Sequence, residues 1–174
     1  MGETAAIKLY AYMLEQDDPS KCTSGKLCRF GLAKRLGRAS RIPRGSLLLN
    51  PFALKVLSKL DRPRAERFGI TVVDCSWERV EEIRWKCIPG VHRRLPFLLA
   101  GNPVSYGKLG RLSSLEALVA ALYILGFREQ AFKLAALYKW APKFIELNRE
   151  PLEAYSQATP EEILKIEREF FPAV

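Results

Sequence analysis

The sequence predicts an α/β fold with a strand-rich N-terminal part and a helical C-terminal tail. Four short apolar runs, at residues 7–13, 46–49, 69–73 and 95–100, each end in a turn containing Gly, Pro, Asn or Asp, as buried strands typically do. Because these runs are apolar throughout rather than alternating, they predict a parallel sheet covered by helices.

Helical signals dominate the chain after residue 110. Ser113 and Glu116 form a capping box before an apolar stripe, and Gly126 marks the end of that helix. Thr159 begins the last helix in the same way. Further helices are predicted at 25–36, 52–57, 61–67, 127–138, 144–155 and 160–170, and one more begins at Ser76.

The chain of 174 residues fits one domain or two small, interlocked ones. A boundary near Pro89 would separate an N-terminal α/β domain, residues 1–88, from a C-terminal part, residues 89–174. No run of 18 uninterrupted apolar residues predicts a membrane span, and no secretion signal is predicted. We therefore expect a cytoplasmic protein.

A long basic segment occupies residues 19–60, which contain ten Lys and Arg residues but no Asp or Glu. The whole chain carries 28 basic and 19 acidic residues, a formal charge of +9. Such a segment repels itself unless a polyanion neutralises it, which favours RNA contact over a merely solvated basic face. The residues predicted to bind RNA are Lys21, Lys26, Arg29, Lys34, Arg35 and Arg38.

Metal binding is not predicted. The four cysteines form no C-x-x-C pair and the chain has a single histidine, His92, so zinc or iron–sulfur ligation lacks its usual spacing. We expect four reduced thiols. His92 lies beside Arg93 and Arg94, and we expect it at the surface or facing RNA rather than acting as a base.

Polar turns follow the predicted strands, and in α/β proteins ligands bind at the carboxyl ends of strands. Asp74 ends the strand at 69–73 and could be a general base or only a helix-start residue favoured by the dipole. Trp77 could stack on an adenine or simply be core. The hydroxyl of Thr23 could bind a carboxylate or serve an ordinary turn. No Gly-rich phosphate loop is present, which suits a nucleoside ligand without a pyrophosphate.

Several segments of the chain, taken together, resemble the aminocarboxypropyltransferases that modify small-subunit ribosomal RNA in archaea and eukaryotes. The matching segments run from near Asp17 to near Tyr155, and VVDCSW, LPFLLAGNPVSYGK and LSSLEAL stand in the family's order. The others are DDPSKCTSGKL, LLLNP and KFIELNREPLEAY.

The resemblance implies an enzyme that transfers the 3-amino-3-carboxypropyl group of S-adenosylmethionine to N3 of a (N1-methyl)pseudouridine in small-subunit rRNA. The by-product is methylthioadenosine, and no metal is required. The resemblance also implies a SPOUT-like C-terminal part with a deep trefoil knot at the cofactor site, a departure from usual topology.

Site residues follow by matching position. The adenine pocket would be lined by Leu49, Pro51, Trp77, Leu95, Leu112 and Ala117, with backbone groups near Val73, Leu95 and Gly110 holding the ribose and adenine edges. Thr23 and Ser114 would meet the carboxylate end of the transferred group, and Asp74 would lie beside the reacting centre as its catalytic residue.

Two other functions remain open at this point. The same scaffold could transfer a methyl group, as SPOUT-type RNA methyltransferases do, or it could be a non-catalytic rRNA-binding assembly factor. In each case the partner would be small-subunit rRNA or the pre-ribosomal small subunit. We expect a monomer.

Overall fold

Five parallel strands form the sheet at the centre of the computed structural model, which describes residues 5–14 and 22–173. The strand order across the sheet is β2-β1-β4-β3-β5, and every neighbouring pair is parallel. All carboxyl ends therefore lie at one edge. The strands are β1 (Leu9–Met13), β2 (Lys34–Leu36), β3 (Leu47–Leu49), β4 (Ile70–Asp74) and β5 (Val91–Arg93).

Apolar side chains cover both faces of the sheet, as the uninterrupted apolar runs require. Val72 packs into the larger cluster, with the helices of the C-terminal half, while its neighbour Val73 packs into a smaller cluster that contains Trp85. Successive side chains of a strand point to opposite faces, so β4 joins the two clusters. Its five residues are all buried.

Seven α-helices surround the sheet in the described part of the chain. The third is the core helix, since Leu115 and every residue from Leu118 to Leu125 are buried. Its capping box is formed by Ser113 and Glu116, and Gly126 ends it with a φ of 93°. The helices are α1 (Thr23–Arg29), α2 (Arg62–Phe68), α3 (Ser114–Leu125), α4 (Arg128–Ala135), α5 (Ala141–Leu147), α6 (Arg149–Gln157) and α7 (Pro160–Phe170).

The α/β class, the parallel sheet and the helical tail are confirmed. Some predicted helices are wrong. The helix expected over 25–36 ends at Arg29, and Gly31, with a φ of 71°, turns the chain into β2. Residues 52–57 form no helix, since Val56 pairs with Arg94 in an isolated parallel bridge. The helix expected after Ser76 is 3₁₀, and the one at 144–155 is divided at Asn148.

The run at 95–100 alternates between half-buried and buried residues and is not a strand of the sheet. Its backbone is bonded by side chains of the helices and, from Leu98 to Ala100, by the backbone of residues 107–110, which includes the antiparallel bridge Leu99–Leu109. Asn148 accepts from the amide of Leu99 and donates to its carbonyl, both at 2.8 Å. The amide of Phe97 donates to Glu167 at 3.1 Å, and its carbonyl accepts from Tyr155 at 2.9 Å. Side chains from the ends or interior of helices α5 to α7, together with residues 107–110, thus satisfy backbone groups that a strand of the sheet would otherwise bond.

The division into residues 1–88 and 89–174 stays a prediction. β5, which follows that boundary, pairs with β3, which precedes it, so both parts contribute to one sheet.

Candidate active site at the carboxyl edge of the sheet

A buried carboxylate lies at the carboxyl edge of the sheet. Asp74 is the last residue of β4 and is 7% exposed. Its Oδ2 accepts a hydrogen bond from the Cys22 thiol at 3.1 Å, and its Oδ1 accepts one from the Ser114 hydroxyl at 3.1 Å. These bonds join the end of β4 to the starts of α1 and α3, and they orient both carboxylate oxygens.

The thiol of Cys22 is held in its protonated form. Burial, reinforced by the hydrogen bond to Asp74 and the carboxylate's negative charge, raises the pKa of Cys22 to about 11. At neutral pH this cysteine is therefore a hydrogen-bond donor to Asp74 and not a thiolate nucleophile. Its sulfur also caps α1 by accepting from the amide of Gly25 at 3.3 Å.

Thr23 connects the first and third helices. Its Oγ1 accepts a hydrogen bond from the amide of Leu115 at 3.1 Å, so a residue at the start of α1 satisfies an amide in the first turn of α3. A hydroxyl that accepts in this way keeps its own proton for another acceptor. Thr23, Asp74 and Ser114 are thus brought together around the N-terminus of α3.

Trp77 and Leu112 form an apolar wall next to this cluster. The indole Nε1 donates to the carbonyl of Leu112 at 2.9 Å, which fixes the ring beside the chain that enters α3. Leu49 ends β3 one strand away from Asp74, and Pro51 follows it with an exposed ring. Of the other predicted pocket residues, Val73 precedes Asp74 in β4 and Leu95 follows the end of β5. Gly110 lies in the loop that leads into α3, and Ala117 lies near the start of that helix.

Glu116 bonds the loop that leads into α3. Reasoning from the sequence missed this role, because it assigned Glu116 only to the capping box. The side chain is 1% exposed. Its carboxylate accepts from the amide of Gly101 and the side-chain amide of Asn102, both at 2.6 Å, and from the amide of Ser113 at 2.9 Å. The turn Gly101-Asn102-Pro103 gave the only sequence signal for this interaction.

His92 does not face solvent as a free basic group. Its Nε2 lies 2.8 Å from the carbonyl of Ile88, so this nitrogen must donate, and its Nδ1 then accepts from the side-chain amide of Asn50 at 2.9 Å. The neighbouring arginines are paired as well, Arg93 with Asp61 and Arg94 with Glu167. His92 is half-buried, and its expected position at the surface or facing RNA stays a prediction.

The predicted RNA-binding residues divide into two groups. Arg29, Lys34, Arg35 and Arg38 are exposed, and Arg38 lies just past the carboxyl end of β2, at the same edge as Asp74. The ammonium of Lys26, in contrast, donates to the carbonyl of Leu137 at 2.9 Å and lies 4.2 Å from the centre of the Tyr138 ring. Lys21 lies outside the described residues.

A cleft of about 510 Å³ opens elsewhere, at the amino ends of β1 and β2. It is lined by Lys8, Lys34 and Lys133, among others, and none of the predicted donor-site residues borders it. The polar groups around Asp74 lie at the opposite edge of the sheet from this cleft.

Within residues 5–14 and 22–173, no three or more His, Cys, Asp and Glu side chains are grouped so that they could hold a metal ion. No helix of the same residues is long and apolar enough to cross a membrane.

Fold and site define a parallel α/β protein with a buried carboxylate at the carboxyl edge of its sheet and exposed basic residues, of which Arg38 lies at that edge. A family model described as "Ribosome biogenesis protein, C-terminal" matches residues 47–171. The chain belongs to this family, and the resemblance found in its motifs is confirmed.

Similar proteins cover nearly the whole chain. A 16S rRNA aminocarboxypropyltransferase of Methanosarcina mazei is 48% identical over 94% of this chain and 95% of the relative. A protein of the same name from Saccharolobus solfataricus is 45% identical over 97% of this chain and 98% of the relative. The solved structure of "the SAM-dependent rRNA:acp-transferase Tsr3 from Vulcanisaeta distributa" matches with a TM-score of 0.87 and 42% identity, over 94% of this chain and 88% of the other.

Proposed function

We propose that this chain transfers the 3-amino-3-carboxypropyl group of S-adenosylmethionine to N3 of a (N1-methyl)pseudouridine in small-subunit rRNA, releasing methylthioadenosine. The observation that carries the proposal is the Asp74 carboxylate, buried between Cys22 and Ser114 at the carboxyl edge. The names of the relatives support the same reaction. The donor supplies an electrophilic carbon bonded to a positively charged sulfur.

The residues at this edge fit such a donor. Leu49, Leu112 and Trp77 provide apolar surface for an adenine, and the buried carboxylate of Asp74 suits a nearby positive charge. An apolar surrounding disfavours a charged sulfonium more than the transition state in which that charge is being lost, so burial of the donor favours reaction. Pro51, Val73, Leu95, Gly110 and Ala117 complete the proposed donor site.

The amino-acid end of the donor would meet Thr23 and Ser114. Thr23 retains a hydroxyl proton that a carboxylate can accept, and the N-terminus of α3 adds a favourable dipole. Ser114 donates its proton to Asp74, so in this arrangement its oxygen suits the ammonium better than the carboxylate. The resemblance implied a carboxylate contact for Ser114, and we propose the ammonium contact in its place.

Asp74 is the proposed base. The N3–H of the target must lose its proton as nitrogen bonds to the carbon of the transferred chain and the carbon–sulfur bond breaks, with the electron pair remaining on sulfur. Asp74 would accept that proton. Cys22 and Ser114 keep the carboxylate in one orientation, and correct placement of the aminocarboxypropyl chain, rather than the methyl group, decides which carbon is attacked.

The identity of the small-molecule product tests the proposal. We expect the purified protein, incubated with S-adenosylmethionine and small-subunit rRNA, to release methylthioadenosine, measured by chromatography with mass detection. Release of S-adenosylhomocysteine would instead indicate the methyltransferase. Release of neither product, under conditions where RNA binds, would indicate the non-catalytic assembly factor.

The exposed basic residues would bind the rRNA phosphates, and the RNA contacts predicted for Lys21 and Lys26 remain part of the proposal. We expect the double variant Lys34→Glu, Arg38→Glu to bind RNA more weakly. The slope of log K against the logarithm of the salt concentration should become shallower by about 1.4, because each phosphate of a single strand that is no longer neutralised accounts for roughly 0.7. Both side chains are exposed in the structure. Fluorescence anisotropy at several salt concentrations measures the slope.

A variant with the same change in charge provides the control. Lys143→Glu with Lys165→Glu alters exposed residues of α5 and α7 and should leave the RNA affinity closer to that of the unmodified protein. If both double variants lower affinity and slope equally, net charge alone accounts for RNA binding. Affinity for the donor should be unchanged in both.

The proposal extends to the finer fold and the setting. Loops that follow β3 and β4 and the loop that precedes α3 converge at one edge, which supports a SPOUT-like trefoil knot at the donor site. We further propose that the protein acts as a cytoplasmic monomer on small-subunit rRNA or the pre-ribosomal small subunit.

A further inference from the structure

The loop between Gly101 and Leu112 presents two large apolar side chains to solvent. Val104 is 79% exposed and Tyr106 is 63% exposed. Lys108 and Arg111, which follow them in the same loop, are exposed as well. An apolar and aromatic tip beside basic side chains is the combination with which proteins bind single-stranded nucleic acid.

The loop is held firmly, so this exposure is not the result of a loose chain. The amide of Ala100 donates to the carbonyl of Lys108 at 2.9 Å, and the amide of Gly107 donates back to the carbonyl of Ala100 at 2.7 Å. Asn102 accepts from the amide of Ser105 at 2.9 Å and is itself bonded to the buried Glu116. Tyr106 is therefore presented on a closed, anchored loop, which lowers the entropic cost of binding through it.

Charge around the loop favours a polyanion. Residues 83–115 contain no Asp or Glu, a second acid-free segment besides that at 19–60. The first acidic residue after it, Glu116, is buried and points inward to the loop's own amides. The charged neighbours of the exposed tip within its own segment are therefore all positive, which fits an RNA strand and disfavours a basic protein surface.

The base of the loop belongs to the candidate active site. Asn102 donates to the carbonyl of Arg111 at 3.2 Å, and the next carbonyl, of Leu112, accepts from Trp77. Two residues further on, Ser114 bonds Asp74. A base stacked at the loop's tip would thus contact a segment that leads, within a few residues, to Ser114 and Asp74, where the reacting nucleotide would lie.

Reaction at N3 requires an unpaired target base, and the unpaired bases beside it need a stacking partner on the protein. N3–H is the donor on the Watson–Crick edge of a uridine-type base, so it can react only when the base is out of its pair. Unpairing exposes the faces of neighbouring bases, and stacking on a protein aromatic ring offsets part of that cost.

We propose that Tyr106, with Val104 beside it, stacks on an unpaired rRNA base next to the target nucleotide and so positions the target at Asp74. Lys108 and Arg111 bind the adjoining phosphates. This inference rests on the proposed function for the identity of the target. Tyr106 is a positioning residue, since it touches RNA and not the reacting atoms.

The test compares Tyr106→Ala and Tyr106→Phe on a small-subunit rRNA stem–loop whose target pseudouridine is unpaired. We expect the alanine variant to bind this RNA about 5- to 100-fold more weakly, the usual worth of one stacked base, and to raise KM for RNA more than it lowers kcat. The phenylalanine variant keeps the stacking face and should bind within about twofold of the unmodified protein. Phe132→Ala, which removes an exposed aromatic ring from α4, is the control and should bind equally well.

Two further readouts make each outcome decisive. Calorimetry without RNA should give the same donor affinity for Tyr106→Ala as for the unmodified protein, and loss of donor affinity would overturn the inference by placing Tyr106 in the donor pocket. RNA affinity of Tyr106→Ala within twofold of the unmodified protein would also overturn it. RNA affinity is measured independently of product release. Absence of methylthioadenosine would therefore contradict the proposed function, whereas the RNA affinities of the variants would still show whether Tyr106 contacts RNA.

Discussion

Asp74→Asn is expected to lower the single-turnover rate by roughly 10²- to 10⁴-fold, the usual contribution of a positioned acid or base. The amide keeps the shape and the hydrogen-bonding capacity of the carboxylate between Cys22 and Ser114 but cannot take a proton. The deficit should shrink as pH rises, because the target nitrogen then loses its proton to solvent. Single-turnover rates measured across a pH series, together with melting curves, test this prediction.

A second buried aspartate provides the matched control. Asp61, which pairs with Arg93 and caps its own turn, is buried as well but lies at the start of α2. Asp61→Asn should lower the melting temperature and leave the chemical step nearly unchanged. An Asp74→Asn protein with normal rates and a lowered melting point would instead show that this carboxylate has only the helix-start role. A lowered rate that does not recover with pH would indicate that it orients the nucleotide without accepting its proton.

Glu116→Ala is expected to destabilise the protein by about 3 kcal/mol or more. Three donors would be left without their acceptor, the amides of Gly101 and Ser113 and the side chain of Asn102, and each buried donor left unsatisfied costs about 1–3 kcal/mol. Glu116→Gln should lower the free energy of unfolding less, because the glutamine retains one acceptor oxygen. It should still destabilise the protein to some extent, because its new N–H₂ group faces a donor. Urea denaturation of both variants measures the change in the free energy of unfolding.

Glu169→Ala is the control for this experiment, since Glu169 is exposed near the end of α7 and its removal should alter stability by no more than about 0.5 kcal/mol. A destabilisation below about 1 kcal/mol for Glu116→Ala would contradict the hydrogen bonds of this carboxylate with the loop. Because the same hydrogen bonds hold Tyr106 in place, Glu116→Gln should also weaken RNA binding under conditions where it remains folded.

Much of the architecture could be predicted from local pattern. Apolar runs predicted β1, β3 and β4, and the capping box with Gly126 predicted both ends of α3, because these signals depend on residues that are close in sequence. The motifs around Asp74 and Trp77 identified the family. The acid-free segment at 19–60 predicted a basic surface, and Arg38 does lie at the edge that contains Asp74.

What the amino-acid sequence by itself determined was therefore the class of fold, the family and the position of Asp74 at the end of a buried strand. Only the tertiary structure decided which groups meet there. Cys22 bonds Asp74 across 52 positions of the chain, and Glu167 bonds Phe97 across 70. Local periodicity contains no information on such pairs, because a hydrogen bond between distant residues exists only once the intervening chain is folded. For the same reason Lys26, basic in sequence, is bonded to Leu137. The apolar run at 95–100 is likewise bonded by helix side chains and by residues 107–110 instead of joining the sheet.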